Sequence, residues 1–581
     1  MKHRYISSNS RTLFFTTSPR SPSKLIPEVK LLIETCQGKT WNRETQAAFM
    51  EKLSQQTFFQ QVAPTKNLDL SARDRINRGP QLLGFVNLES TVQPTDAYKK
   101  LIFGKRTDEV FLRQMLKFQV PSPLKPESKN ASPVFWCRPY LEILRLIYDM
   151  DYLSRDELAI FGMQLTNISK FDLIKNKIKN FRFSKKNRKP GRYQEFAQTY
   201  AENEVSDLFA DVIESGNIEK RENKGKQTTV SEFVSTKLRN MYDYADACRR
   251  YLRVTGLIEV DIQHRSVTIS PKRKADVEWI LNNVNRQPVF VDDLEKYQSY
   301  LFDSNLPVLY SDNKELLCSR LSKLGQNAAL FANDDLDTLK DKYETALRER
   351  TKQSIKQEEE VLKTYQAYDD IMAVFNSLND RQTPDKPLLL EWNTWRAMTM
   401  IDHGIINGNF ARDLNGLPED TAGPGVPDIV CQYKDFDLVI EVTMQTGTRQ
   451  YNSEGEPVAD HVGVHRLQSR VPTYGIFIAP KINPNVITYF YGINQMKMKN
   501  YGGKSQIVPM TIDMFEQLVE SSEKAIKKPT AEDIKAFLDK SIQDIDDSKD
   551  EMSWFDSIRT NIDAFINQVN SPNSQSVNGG Y

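Results

Sequence analysis

Residues 425–466, GVPDIVCQYKDFDLVIEVTMQTGTRQYNSEGEPVADHVGVHR, constrain the chain more than any other stretch. Within them Ile429–Tyr433 and Asp437–Val442 are short, largely apolar runs that read as strands. Only Lys434 and Asp435 separate the two runs. A two-residue turn there makes Tyr433 face Phe436, and counting outward sets Asp428 opposite Glu441. Cross-strand partners have Cβ atoms about 4.5–5.5 Å apart, close enough for two carboxylates to share a divalent cation. Lys-Asp is not a favoured primed-turn pair, so turn chemistry alone does not enforce this register.

A site of this kind suits hydrolysis of a phosphodiester, which needs a cation against the non-bridging oxygens and a means of activating water. Mg²⁺ prefers oxygen ligands and keeps several waters, so one or two carboxylates and the phosphate suffice. Asp428 and Glu441 meet that requirement. Glu391, on a helix predicted over Leu388–Asp402, is placed to take a second cation or its water. Glu454 and His461, just downstream, are candidates to orient or deprotonate the nucleophile. His461 and His465 stand at i, i+4 like a metal pair, with capping or packing as the plainer reading of one of them. No HExxH occurs, which excludes a zincin. Gly503-Lys504-Ser505 ends like a phosphate-binding loop, but Met498 stands where the first glycine belongs, and that reading is rejected.

The 581 residues suggest roughly three or four domains at about 150 residues each. Five scattered cysteines without a CxxC argue for a reducing, cytoplasmic setting and against a disulfide framework or structural zinc. No apolar run is long enough to span a membrane. The first 27 residues hold no acid, with Arg4, Arg11, Arg20 and Lys24 among serines and threonines. A transit peptide and a basic arm lying near a polyanion share that composition. Net charge is only +1, but ten Lys or Arg and one acid fall between Lys170 and Arg192. Such segregation fits a protein that touches DNA at one end and keeps carboxylates at the other.

Helices are predicted over Ile26–Cys36 and Thr45–Leu53. A helix carrying Arg73, Arg75 and Arg78 then runs into Leu82–Val86, a polar turn, Val92–Thr95 and a further helix. The same order returns at 238–281: a helix with Arg249, Arg250 and Arg253, the run Thr255–Val260, a tip at Gln263-His264-Arg265, Val267–Ser270, and a last helix near Trp279. Helix, turn, two short strands and helix is the grammar of a winged helix. Between them a helix pair, Tyr140–Met150 and Arg155–Leu165, leads into FRFSKKNRKPGRY (181–193), a third and less regular candidate. Many winged helices bind protein, and lysine-rich faces are often only solvated. Two such units beside a basic stretch interleaved with Phe181, Phe183 and Tyr193 favour double-stranded DNA. The candidate DNA contacts are Arg73, Arg75, Arg78, Lys185, Lys186, Arg188, Arg249, Arg250 and Arg253.

Residues 295–380 carry no convincing strand, and 334–379 are charged and helical in period. Thr383-Pro384-Asp385-Lys386-Pro387 punctuates the chain sharply. After it come the helix with Glu391, a Gly-rich loop over Asn415–Pro427, the hairpin, a helix over Asp460–Ser469, a buried strand over Tyr474–Ala479, a strand over Ile507–Met510 and a helix over Thr511–Ser521. Strand, helix, buried strand is a crossover unit. The expected organisation is a recognition region (1–285), a helical linker (286–383), a catalytic domain (384–570) and a disordered tail (571–581).

Pro427-Asp428 with Glu441-Val442-Thr443 resembles the signature of PD-(D/E)XK nucleases. More closely, FFTTSPRSPSK (14–24), TWNRETQAAF (40–49), ARDRINRGPQLLGFV (72–86) and PDIVCQYKDFDLVIEVT through GEPVADHVGVHR resemble the AlwI-like type IIS restriction endonucleases and their BstNBI-like nicking relatives. The resemblance implies an α+β multidomain fold, with a helical, winged-helix-like recognition region, a helical linker and an α/β nuclease core with a central mixed sheet. It implies Mg²⁺-dependent cutting a few base pairs outside a short asymmetric site. Asp428 and Glu441 correspond to the family's metal-binding carboxylates, and Glu391, Glu454 and His461 to its further acidic and histidine positions. The usual lysine is Thr443, which supplies no positive charge and shifts weight onto His461 and Glu454. A strand-specific nickase, or the large subunit of a heterodimeric enzyme, is the near variant. The two differ in whether a second nuclease subunit or a transient self-dimer completes double-strand cutting. A winged-helix DNA-binding regulator with an inactive nuclease domain is the alternative from another class.

Overall fold

A computed structural model of the chain describes residues 10–570 apart from 60–66, 127–133, 189–192, 217, 219–227, 262, 264, 265, 328–330, 332, 381, 382, 384, 403 and 424. The predicted tail at 571–581, His403, and all of the predicted tip but Gln263 lie outside the described residues. The chain divides into two compact units, Met1–Leu347 and Arg348–Tyr581. The stretch 286–383, expected as a separate linker, is shared between them.

In the first unit α1 (Pro22–Cys36) and α2 (Leu68–Arg78) precede a minimal hairpin, β1 (Val86–Asn87) and β2 (Gln93–Pro94), paired Val86↔Pro94. Thr95 then starts α3 (Asp96–Phe103): its hydroxyl oxygen accepts from Tyr98 N at 3.1 Å and donates to Gly84 O at 2.7 Å. The later sheet has three strands. The chain passes through α4 (Pro139–Asp149), β3 (Tyr152–Ser154), α5 (Arg155–Ile160), α6 (Phe171–Lys186) and α7 (Tyr193–Leu208). It continues through α8 (Val230–Arg253), β4 (Ile258–Asp261), β5 (Ser266–Ile269) and α9 (Lys274–Asn283). β5 pairs with β4 on one side and β3 on the other, Leu153 and Val260 both meeting Val267. The helix pair around Asp151–Leu153 therefore belongs with the second predicted winged helix, inside the first unit, because its connecting segment is a strand of the same sheet. α8 buries Phe233, Val234, Leu238, Met241, Ala245, Cys248 and Leu252, the three- and four-residue spacing of an amphipathic helix. One apolar core runs from Leu13 to Leu309, so the two predicted winged units share their interior.

Lys117 is wholly buried in this core, its ammonium donating to the carbonyls of Leu301 and Asp303. Burial lowers its pKa to about 7. The unfolded chain therefore binds the extra proton between about pH 7 and 10.5, and stability rises with pH across that window and is lost as pH falls through it. Melting curves of wild type against Lys117→Met should diverge there, the variant showing the flatter pH dependence.

The tail of the first unit is helical. Leu317, Leu321, Phe331, Leu339 and Tyr343 form a small separate core, and α10 (Leu336–Leu362) carries the boundary between units.

The second unit is built on a five-stranded sheet. After α11 (Lys386–Asp402) come β6 (Ile405–Gly408), β7 (Ile429–Gln432), β8 (Asp437–Val442), α12 (Thr448–Gln468), β9 (Thr473–Ala479), α13 (Pro484–Gln495), β10 (Ile507–Thr511) and α14 (Ile512–Lys524). The strand order is β10-β9-β8-β7-β6. β8, β9 and β10 are parallel, joined by crossover helices, whereas β6 and β7 are antiparallel additions. All seven residues of β9 are buried, as expected of a strand covered on both faces. α12 lies tight against it: a Cβ at Gly475 would come within 2.8 Å of Val462 Cγ2. β6 was not foreseen, nor was the short hairpin of Ala411–Arg412 with Pro418–Asp420 that occupies part of the expected Gly-rich loop. α12 begins twelve residues before the predicted Asp460, so it takes in Glu454 and an internal Pro457.

Candidate active site

The strand register is the one that the two-residue turn requires. Tyr433 N donates to Phe436 O at 3.0 Å, and Gln432↔Asp437 through Ile429↔Ile440 follow in step. Glu441, one residue past that ladder, and Asp428, one residue before it, therefore face each other across β7 and β8. Glu441 is buried, between β7 and β9, with Phe477 as its parallel partner. Asp428 is half-buried at the start of β7, and its Oδ2 accepts from Val442 N at 2.8 Å, capping the end of the ladder. Asn409 fixes the bend before it, donating through N to Asp428 O at 2.9 Å and through Nδ2 to Pro427 O at 2.7 Å.

α11 brings Glu391 to the same end of the sheet, 1% exposed, with Ala422 N donating to its Oε1 at 3.0 Å and its Oε2 at 3.3 Å. α12 brings the rest. His461 Nδ1 lies 2.8 Å from Glu441 Oε1, and the Thr443 hydroxyl donates to Glu454 Oε1 at 3.1 Å. His465 is spent elsewhere: its Nε2 lies 3.0 Å from Asp437 Oδ2, which also accepts from Ser469 Oγ at 2.7 Å. The two histidines thus stitch α12 to two different carboxylates of β8. Gln450, fully buried, ties the loops beside the site by donating to Gln445 O and Lys481 O, both at 2.9 Å, while its Oε1 accepts from Asn483 N at 2.7 Å.

The carboxylates act on one another. Asp428 is held well above the usual carboxylate range by burial and then by the charges of Glu441 and Glu391. Burial pushes Glu391 up to about 8, with Glu441 and Asp420 adding to it. Burial also raises Glu441 against its hydrogen bond to His461, and Glu454 against its bond to Thr443. His461 is raised in turn by its bond to Glu441. Two carboxylates about 5 Å apart repel by about 3 kcal/mol at an effective dielectric constant of about 20. A divalent cation relieves that repulsion, and an all-oxygen donor set suits Mg²⁺. Among the described residues no three Asp, Glu, His or Cys side chains form a closed ligand group.

The predicted DNA contacts fall into three groups. Arg75 is buried and forks onto Glu28 of α1, Nε to Oε2 at 2.6 Å and Nη2 to Oε1 at 3.0 Å, so it joins two helices instead of facing a ligand. Arg253 is likewise buried, at the end of α8. Arg249 and Arg250 both bond Asp246, at 2.6 and 3.0 Å, and Arg73 and Arg78 flank Asp74 at 4.0 and 3.5 Å. Lys186 and Arg188 are exposed at the end of α6, with Lys185 over the Tyr193 ring at 4.8 Å. Of the interleaved aromatics, Phe181 is core and Tyr193 donates to Asp156 at 2.7 Å; Phe183 alone is exposed. Asn409, Gln450 and Asp420 escaped the sequence reading, since a single polar residue beside an unrecognised strand carries no periodic signal.

A crystal structure of the small subunit (R.BspD6I2) of the heterodimeric restriction endonuclease R.BspD6I aligns with TM-score 0.29 and 24% identity, over 33% of this chain and 98% of that one. The BpuJ1 endonuclease binding domain, in complex with pyrene- and phenanthrene-modified DNA, aligns with TM-score 0.28 and 16% identity, over 52% of this chain and 99% of that one. No curated protein matches. The AlwI restriction endonuclease profile matches residues 81–518, from the hairpin of the first unit through the site-bearing sheet. The chain belongs to the AlwI restriction endonuclease family.

Proposed function

We propose that the chain is a type IIS restriction endonuclease of PD-(D/E)XK type, which binds a short asymmetric double-stranded site through its first unit and cuts outside it in a Mg²⁺-dependent reaction. The observation that carries this reading is the Asp428–Glu441 pair facing across β7 and β8, with Glu391 as third carboxylate. The helix–strand–helix–helix–hairpin order of α4, β3, α5, α8, β4 and β5 supports a winged helix as the recognition module.

When bound, Mg²⁺ supplies charge against the scissile phosphate and lowers the pKa of the attacking water. Asp428 and Glu441 would hold it, and Ala422 N keeps Glu391 turned towards them. His461 fixes the direction of the Glu441 carboxylate. Glu454, aimed by the Thr443 hydroxyl, is the group to accept the proton of the attacking water. The lysine position is thus occupied by a hydroxyl that positions a base.

Incubating wild type and Glu441→Ala with supercoiled plasmid, in Mg²⁺ and in EDTA, tests the reading. Linear product from wild type in Mg²⁺ alone supports it. Open circle as the end product makes the enzyme a nickase. Plasmid left supercoiled in every divalent metal, yet shifted in a gel, overturns catalysis. Two further variants test the roles. His461→Ala should lower the cutting rate about 10–100-fold, the usual cost of losing a group that orients a metal ligand. Thr443→Val should cost about tenfold by releasing Glu454. Wild-type rates in Thr443→Val would remove the Thr443–Glu454 contact from the mechanism.

A further inference from the structure

α6 has two unlike faces. Ile174, Ile178 and Phe181 are buried, and the cations beside them are committed. Lys175 pairs with Asp149 at 2.8 Å, Lys177 with Glu204, and Arg182 with Glu157 at 2.8 Å. The opposite face, at helical spacing, carries Asn176, Lys179, Asn180, Phe183 and Lys186, all exposed, and after Asp172 the helix holds no acid. A lone exposed apolar side chain is ordinary. Phe183 is distinguished by its setting: 71% exposed, with amides one and two turns before it and lysines at either side. Amides match adenine edges, an apolar ring packs on a thymine methyl, and flanking ammonium groups meet phosphates. A helix of 16 residues is about 24 Å long, ample for a major groove about 12 Å wide.

We propose that the outward face of α6 enters the major groove of double-stranded DNA, with Asn176, Asn180 and Phe183 on base edges and Lys179 and Lys186 on the backbone. The inference rests on the first unit being the DNA-recognition part, and makes this inserted helix, outside the two predicted winged units, a source of sequence preference.

The test uses the full-length protein and a randomised duplex pool, without divalent metal, so that binding is read apart from cutting. Wild type selects its preferred duplex, and fluorescence anisotropy compares that duplex with a scrambled one. Phe183→Ala and Asn180→Ala are expected to weaken the selected duplex about tenfold each and the scrambled duplex by less than about twofold. Lys179→Ala and Lys186→Ala should weaken both duplexes alike and lower the salt slope by about one. Melting temperatures should change little, since these side chains are exposed. Wild-type discrimination in Phe183→Ala and Asn180→Ala overturns the proposal, as does failure of wild type to select any sequence. Loss of plasmid cutting with selection intact would strike the nuclease reading and leave this one standing.

Discussion

Asp428→Asn is expected to lower plasmid cutting about a thousandfold or more while the protein binds DNA as before and melts at the same or a higher temperature. The substitution keeps the size of the side chain, and an amide oxygen can still accept from Val442 N as Oδ2 does at 2.8 Å. What it removes is one of the charges that Glu441, Glu391 and Asp428 impose on one another. In the metal-free protein those charges oppose folding, so their removal is neutral or stabilising, the usual trade between stability and function at an active site. With cation and phosphate present the same charge is a ligand. Titration calorimetry with Mg²⁺ should show weakened binding in the variant, and thermal melting without metal should show no loss. A variant that cuts at the wild-type rate takes Asp428 out of the site. One that fails to cut because it has unfolded gives a lowered melting temperature and a lost gel shift.

Arg113→Ala should have the largest effect on stability, about 3–5 kcal/mol, and should lower the melting temperature of the first unit by roughly 5–10 °C. Arg113 is 2% exposed, and its guanidinium forks between Glu109 Oε1 at 2.6 Å and Asp312 Oδ1 at 2.7 Å. It also donates to the carbonyls of Asn305 and Pro307, each at 2.6 Å. Lys340 reaches the same two acids, at 2.9 Å from Glu109 and 2.6 Å from Asp312. Truncating the arginine leaves two half-buried carboxylates with Lys340 between them, Glu109 keeping only the longer contact to Arg106 at 3.4 Å, and two carbonyls without their donor. The cost is that of uncompensated buried charge, so replacing the whole cluster, Arg113→Met and Lys340→Met with Glu109→Leu and Asp312→Leu, should recover most of it. Equal melting of Arg113→Ala and wild type would mean that Lys340 and Arg106 satisfy the cluster between them.

The hairpin was legible because its signal is local. Two short apolar runs separated by two residues place Tyr433 opposite Phe436, and the structure closes the hairpin at that pair. The parallel strands β9 and β10 were legible for a related reason: strands buried on both faces are continuous apolar runs. α12 was only half legible. Gly455, Pro457 and Gly463 interrupt its period, and at Gly463 the reason is tertiary: a Cβ there would meet Tyr501 at 2.6 Å. β6 has four residues, among them Asn407 and Gly408, too few to show a period of two. Charge was the least legible property. Nothing in the spacing of Arg73, Arg75 and Arg78 marks the middle one as buried, because its partner Glu28 lies 47 residues away. For the site, the carboxylate positions followed from the strands, whereas the groups that hold them did not. Ala422 N and the Asn409 amide act by folding back from loops, and loops have no periodicity to read.

β6 has a further consequence, for how the molecule behaves at high concentration. It closes one end of the sheet, and it is only four residues long, with Ile405 66% exposed and a glycine at its far end. A long flat edge invites strand addition by another chain, and short edges blunt it. Two copies of the nuclease unit therefore have little backbone to share along this border.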